Sequence, residues 1–159
     1  MGKLVVIKGD QVTGTDKHNV TGSTVSTPPV FYAGTGSFKY QGSITDQLSD
    51  FVRIGGTPVA LVTSRSSLDP GEDAPPAGQH SGPAGSGFTA PAPNPGSLSI
   101  VDLPLGTGVP GSGAGSGLLT VNGVKVLLDG DAIDTCGPAP TTGASKVAAQ
   151  GQDFVTCSA

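Results

Sequence analysis

The sequence predicts an all-β domain of short strands and hairpins joined by long, irregular Gly/Pro-rich loops. The chain has 26 Gly and 14 Pro among 159 residues, so one residue in four interrupts regular structure. Its Val, Ile and Leu residues are concentrated in short runs, and no stretch has the apolar spacing of an amphipathic helix over three turns. This length fits one domain, and we therefore predict a single domain over residues 1–159.

Short apolar runs bounded by turn-forming residues mark the strands. The predicted strands are residues 4–8, 30–32, 51–54, 58–63, 118–122, 125–128, 146–149 and 154–157. Residues 44–51 are the best candidate for one or two turns of helix, and residues 98–101 are a candidate edge strand.

An internal repeat supports the hairpin prediction. Residues 54–62 (IGGTPVALV) align without gaps on residues 121–129 (VNGVKVLLD). A Gly-Gly pair in one copy and an Asn-Gly pair in the other occupy the same place, and both pairs are typical of two-residue hairpin turns. A Gly-Asp pair follows at Gly130-Asp131, and another follows the first predicted strand at Gly9-Asp10. A looser version occurs at residues 151–153.

Residues 69–117 form a Pro/Gly-rich insertion, with nine of the 14 prolines and 12 of the 26 glycines. Two interpretations stay open for it, a disordered linker or an ordered, irregular wrap over the β core. Within the insertion, residues 111–117 (GSGAGSG) are predicted to be a flexible linker. They lack the Lys-Ser/Thr of a phosphate-binding loop.

Charge and hydropathy exclude several function classes. The net charge of −4 and the absence of a Lys/Arg cluster argue against nucleic acid as a partner. No apolar run approaches the roughly 20 residues that span a bilayer, and the first apolar stretch is too short for a signal peptide. We therefore expect the chain to fold in the cytoplasm without a signal peptide and to leave the cell by another route.

The scarcity of metal-binding side chains points to a structural metal. The chain has four His and Cys residues in all, His18, His80, Cys136 and Cys157, each predicted to lie in a loop beside a strand. A His2Cys2 set suits a closed tetrahedral Zn²⁺ site. Such a site would cross-link and stabilise a domain whose core lacks Trp and has few aromatic residues. Three alternatives stay open: solvated histidines, a Cys136–Cys157 disulfide, or unrelated buried thiols.

Catalytic motifs are missing from the sequence. There is no Gly-x-Ser-x-Gly elbow in a strand–helix context, and the acidic residues near position 70 lie in a proline-flanked turn. A zinc ion saturated by four protein ligands has no open position for water. We therefore expect a protein that is not an enzyme.

Three segments carry a resemblance to a known family. Residues 122–131 (NGVKVLLDGD) have an Asn-Gly turn and a terminal Gly-Asp, with Cys136 five residues further on. Residues 56–62 (GTPVALV) have the Pro and one Ala of a signature in which Leu61 stands for Arg and Thr63-Ser64 for Gly-Asp. Residues 7–10 (IKGD) precede the loop of His18. On these motifs, about half of the chain resembles the PAAR-repeat family of spike-tip proteins.

The resemblance implies a small conical, or pyramidal, domain of three hairpin repeats with pseudo-threefold symmetry. Its apex would hold a structural zinc, for which His18, His80 and Cys136 fall in the expected loops. Cys157 would be the fourth ligand, in place of the third His of the family.

The resemblance also implies the function. The chain would be a monomer capping a trimeric VgrG-like or phage-spike-like protein of a contractile injection system, such as a type VI secretion system or a phage tail-like particle. It would sharpen the spike for piercing a target membrane, touch that membrane transiently, and be carried out on the particle. Attached effector cargo is left open. The alternatives are a small secreted effector or toxin carried on the spike, and a disulfide-bonded secreted surface protein.

Overall fold

The computed structural model describes residues 2–24, 27–29, 31–68, 79–81, 95–100, 107–135 and 145–158. Within these residues every regular element is a β-strand, which confirms the all-β class. The helical turn predicted at residues 44–51 is wrong. Residues 44–46 belong to a strand, and the N–H of Ile44 donates to the carbonyl oxygen of Asp10 (2.9 Å) instead of to a helical partner.

Fourteen strands are described, several of them only two residues long. In chain order they are β1 (Lys3–Leu4), β2 (Gln11–Thr24), β3 (Phe31–Asp46), β4 (Arg53–Ile54), β5 (Thr57–Pro58), β6 (Arg65–Leu68), β7 (Gln79–Ser81), β8 (Pro95–Ile100), β9 (Thr107–Pro110), β10 (Thr120–Val121), β11 (Val124–Lys125), β12 (Ala132–Asp134), β13 (Ser145–Ala148) and β14 (Thr156–Cys157).

Six of these strands close into an antiparallel barrel. Its order is β3-β6-β9-β12-β13-β2, and the pairing of β2 with β3 closes the ring. Strands β2, β6 and β12 leave one end of the barrel, and β3, β9 and β13 return to it, in strict alternation around the ring. Closure leaves no unpaired edge in the barrel, which removes the usual site of edge-to-edge association.

The hairpin of β2 and β3 continues far beyond the barrel, and we call this extension the ribbon. Its register runs from Gln11↔Ser43 to Ser23↔Phe31, whereas β13 pairs only with the first three residues of β2. Strand β8 adds to β2 and β7 adds to β3 along the ribbon. The edge strand predicted at residues 98–101 is thus confirmed for Leu98 to Ile100; Val101 lies outside the described residues.

Two apolar clusters hold the described residues together. The first fills the barrel and is built on buried side chains such as Val12, Ile44, Ile133 and Val147. Gly42 of β3 lies so close to the neighbouring strand β6 that an added Cβ would collide with the carbonyl oxygen of Ser67. The second cluster lies outside the end of the barrel to which β3, β9 and β13 return. Its buried members are Val5, Ile7, Val59, Leu61, Val121, Val126 and Leu128.

All eight predicted strand segments overlap observed strands, but the length of β2 and β3 was not predicted. The insertion at residues 69–117 contributes β7, β8 and β9 within its described parts, and the rest of it lies outside the described residues. The prediction of one domain with an insertion therefore stays a prediction.

Candidate functional site

Three short chain segments meet in a ring at one end of the barrel, and we call this ring the junction. The segments are residues 5–7, 59–61 and 126–128. Isolated antiparallel bridges join them cyclically: Ile7↔Val59, Leu61↔Val126 and Leu128↔Val5. The third residue of each segment thus pairs with the first residue of the next.

The middle residues of the three segments close a ring of backbone hydrogen bonds. The N–H of Val6 donates to the carbonyl oxygen of Leu127 (3.0 Å). The N–H of Leu127 donates to the carbonyl oxygen of Ala60 (3.0 Å), and the N–H of Ala60 donates to the carbonyl oxygen of Val6 (2.9 Å). All three residues are 0% exposed and belong to the barrel cluster. Their flanking residues belong to the second cluster, as expected from the alternation of side chains along a strand.

A second ring of backbone bonds surrounds the first, with the N–H groups of Lys8, Val62 and Asp129 as donors. They donate to the carbonyl oxygens of Pro58 (2.9 Å), Lys125 (3.0 Å) and Leu4 (2.9 Å), respectively. The two rings donate in opposite directions around one axis, and each repeats three times, so the junction has a pseudo-threefold axis built from one chain. Oligomers reach the same arrangement with three identical subunits.

The same tight turn follows each junction segment. In this turn the N–H of the last junction residue donates a hydrogen bond to the side chain three residues further along the chain. The Oδ2 atoms of Asp10 and Asp131 accept from the N–H groups of Ile7 and Leu128 (2.8 Å each). The Oγ of Ser64 accepts from the N–H of Leu61 (2.9 Å). After these turns the chain enters the barrel strands β2, β12 and β6.

The Gly-Asp pairs predicted from the sequence therefore occupy equivalent turns in two of the three segments. Thr63-Ser64 occupies the third. The looser match at residues 151–153 does not belong to this set, because it precedes a hairpin instead of following a junction segment.

A pair of antiparallel strands leads into each junction segment. Two pairs are hairpins, and the third, β1–β14, joins strands from opposite ends of the chain; because of its matching register we call it the third hairpin. The pairs β4–β5, β10–β11 and β1–β14 have matching registers, with Ile54↔Thr57, Val121↔Val124 and Cys157↔Lys3 as the equivalent pairs. The first two hairpins confirm the repeat found in the sequence, with a constant offset of 67 positions between Ile54 and Val121.

The predicted turns have the expected backbone. Asn122 and Gly123 have φ angles of 51° and 80°, and Gly55 and Gly56 have φ angles of 57° and 86°. Positive φ at both central residues is the hallmark of a two-residue hairpin turn.

A polar side chain caps the start of each hairpin. The Oγ atoms of Ser49 and Ser116 accept from the N–H groups of Val52 (3.0 Å) and Leu119 (2.9 Å). The Oε1 of Gln152 accepts from the N–H of Val155 (2.7 Å) in the same way.

These caps belong to three equivalent four-residue segments, which the sequence analysis does not predict. They are residues 49–52 (SDFV), 116–119 (SGLL) and 152–155 (QDFV). The Asp-Phe-Val shared by the first and the last is the sequence signal that could have identified them. Their third residues, Phe51, Leu118 and Phe154, are all exposed.

The Gly-rich segment 111–117 is not the flexible linker that its composition predicted. Ala114 and Ser116 are buried, and the N–H of Gly115 donates to Oδ2 of Asp131 (2.8 Å). With a φ of +89°, Gly115 lies so close to Val62 that a Cβ would overlap its side chain. Glycine is required here by backbone conformation and by close packing together.

The four predicted metal ligands fall in different parts of the chain. His18 lies in β2 and His80 in β7, so both are in strands and not in loops as predicted. Both pair in register with Gly36 of β3, one on each side. Cys136 lies outside the described residues.

Cys157 belongs to the second apolar cluster, at the position that Ile54 and Val121 occupy in the other hairpins. It is half-buried and has no disulfide partner within the described part of the chain, and its Sγ lies 3.2 Å from Oγ of Ser116. His18 is eight residues beyond Asp10 along β2, or roughly 25 Å at the rise of a strand. The described strands thus place the two histidines at the same register position, on either side of β3 in the ribbon. They place Cys157 in the β1–β14 pair beside the junction.

Among the described residues, no three His, Cys, Asp or Glu side chains gather as a metal site would require. The same residues include no helix long and apolar enough to cross a membrane. Comparison of the chain with protein-family models, with curated proteins and with solved structures finds no match.

Proposed function

We propose that this chain is a structural tip protein that caps a trimeric, VgrG-like or phage-spike-like protein of a contractile injection system. The observation that carries the proposal is the junction, where one chain forms a cyclic ring of hydrogen bonds through Val6, Ala60 and Leu127. Caps, hairpins and turns repeat around the same axis.

Pseudo-threefold symmetry in a monomer has a clear use at the end of a trimer. A homotrimer presents the same surface three times around its axis, so a single-chain cap can contact all three subunits only if it repeats its own contacts threefold. Three hairpins related by such an axis meet this requirement. They also support the hairpin repeats that the PAAR resemblance implies, and the conical outline is part of the proposal.

Rigidity also suits a part that pierces a membrane. The closed barrel has no free edge, and the fully buried side chain of Leu127 is of the kind that contributes about 1.5–3 kcal/mol through burial. The backbone N–H groups of Gln150 and Gly151 donate to the carboxylate of Asp10 and so join segments 140 and 141 residues apart. The chain would assemble in the cytoplasm, reach the target on the particle and touch its membrane only during piercing.

A structural zinc stays part of the proposal, with a smaller ligand set. The register of His18 and His80 with Gly36 supports these two residues as ligands. Cys136, which lies outside the described residues, stays the third ligand that the resemblance implies. Cys157 does not fit, because it packs at a position that is apolar in the other two hairpins. Three protein ligands leave one tetrahedral position to water or to a ligand from another molecule, so the closed four-ligand set does not apply here, and zinc is proposed as a cross-link between these residues.

The alternative functions have less support. A small effector or toxin would need a catalytic constellation, and no observation on the described residues favours one. A disulfide-bonded surface protein would use a Cys136–Cys157 bond, and Cys136 lies outside the described residues, so no contact in the structure favours this alternative.

Binding to a trimeric spike tests the proposal. The purified chain is mixed with a purified VgrG-like trimer encoded in the same genome, and the complex is weighed by native mass spectrometry. We expect one chain for three spike subunits, because one pseudo-threefold face covers one threefold end. Three chains on each trimer, or no complex with any spike protein of that genome, would contradict it.

A further inference from the structure

Three exposed apolar side chains occupy equivalent positions around the junction axis. Phe51, Leu118 and Phe154 are 69%, 74% and 67% exposed. Each lies two residues after a capping side chain and two residues before the first strand of a hairpin. We call these three residues the apolar triad.

The fold does not require apolar residues at these positions. The turn is held by the capping side chain and by the N–H that follows the triad residue, as for Ser49 and Val52 (3.0 Å). A single exposed apolar residue is common on protein surfaces and needs no explanation. Large apolar residues at all three equivalent positions form a repeated pattern, and repeated exposed apolar groups mark interaction sites.

Phe31 provides the contrast. It is 83% exposed, but it lies at the start of β3 on the ribbon, where it pairs with Ser23 and has no counterpart around the junction axis. Among the described residues, the other exposed large apolar side chains are Val109 and Leu119, which are only 39% and 37% exposed. The strongly exposed apolar residues at the hairpin end are thus those of the triad.

We propose that Phe51, Leu118 and Phe154 are the anchors by which this chain docks on its partner, each filling one of three identical apolar pockets on the end of a homotrimer. This inference rests on the proposed function and adds to it the docking face and the anchoring residues. A homotrimer with a threefold axis is the partner whose surface repeats one pocket at three equivalent positions. In many interfaces a few anchor residues buried in well-packed pockets carry most of the binding energy.

The orientation of the molecule follows from this assignment. The hairpin end, with the triad and the second apolar cluster, faces the spike. The barrel and the ribbon, with His18 and His80, point away from it.

Single substitutions of the triad test the inference on the intact chain. The variants F51S, L118S and F154S, and the matched control F31S, are measured against the VgrG-like trimer by isothermal titration calorimetry. Because all four side chains are exposed, we expect unchanged thermal unfolding for each variant. We expect roughly tenfold or greater loss of affinity for each triad variant and none for the control.

The outcomes separate this inference from the proposed function. If the wild-type chain binds the trimer and the triad variants bind equally well, the triad is not the anchor while the proposed function stands. If the wild-type chain binds no trimer, both fail, and self-association that F154S abolishes would assign the triad to a second copy of this chain. Should any serine variant unfold, F51Q, L118Q or F154Q replaces it in the same measurement.

Discussion

The side chain of Asp10 accepts a hydrogen bond from the backbone N–H of Gly151 at 2.7 Å, which joins the first junction segment to the turn before the last hairpin. The same carboxylate accepts from the N–H of Gln150 (2.9 Å) and from that of Ile7 (2.8 Å). Asp131 makes equivalent bonds to Gly115 and Leu128 (2.8 Å each). Each of these two acidic side chains thus connects a junction segment and the turn after it with the segment that precedes a hairpin.

Removing this carboxylate is expected to destabilise the fold. The variant D10A leaves three N–H groups without their acceptor, and Asp10 is only 2% exposed. We expect the free energy of unfolding to fall by about 2–4 kcal/mol, measured by urea denaturation. D153A, at an exposed acidic residue, is the control and should change it by less than about 0.5 kcal/mol.

The variant D10S extends this test, because Ser64 occupies the equivalent turn in another repeat. A serine hydroxyl can accept from the N–H of Ile7, so D10S should retain part of the stability that D10A loses. Equal stability of D10A and the wild-type chain would contradict the role of Asp10.

The packing of the Gly-rich segment gives a second prediction. In G115A, the new Cβ would meet Val62 and Lys125 at a φ of +89°, so both strain and overlap oppose it. We expect the free energy of unfolding to fall by about 2–4 kcal/mol. In G113A the added Cβ meets no atom within 4 Å, and its stability should match that of the wild-type chain. Equal stability of the two variants, measured by thermal unfolding, would restore the flexible-linker interpretation.

Local patterns in the sequence predicted the hairpins well. Gly55-Gly56 and Asn122-Gly123 specify their turns by backbone preference alone, so the strands on both sides could be placed without knowledge of the rest. The two copies also lie 67 residues apart without a gap, which makes their alignment easy to find.

The barrel and the ribbon could not be predicted in this way. Residues 11–24 (QVTGTDKHNVTGST) have too few apolar side chains to show the alternation of a strand, and their pairing with residues 31–46 supplies the structure instead. The third hairpin escaped detection because its strands, β1 and β14, come from opposite ends of the sequence.

The candidate site was predicted only in part. His18 and His80 were noticed because these residue types are scarce, but their common register with Gly36 follows from strand pairing. The apolar triad was missed because the importance of Phe51, Leu118 and Phe154 depends on equivalence around an axis, which no local pattern expresses.

Zinc content gives a third prediction, which separates the cysteines. Replacement of one ligand of a structural zinc site lowers affinity, so H80A and C136S should lose most of one bound equivalent, measured by mass spectrometry of metals in the purified protein. C157V should keep its zinc, because the equivalent positions hold Ile54 and Val121. Loss of zinc in C157V would restore the four-ligand set, and a zinc-free wild-type chain would remove the metal from the proposal.

Circular permutation gives a fourth prediction, on the equivalence of the three hairpins. Cys157 pairs with Lys3 as Ile54 pairs with Thr57, so a chain in which Ser158 is joined directly to Gly2 has a two-residue turn like the other two. With S158N at this joint and new ends between Asn122 and Gly123, every hydrogen bond of the junction is kept. We expect a thermal midpoint within a few degrees of the wild-type value and unchanged spike binding. A permutant opened between Ala60 and Leu61, inside the ring, is the control and should not fold. If the first permutant also fails to fold, the three hairpins are not equivalent.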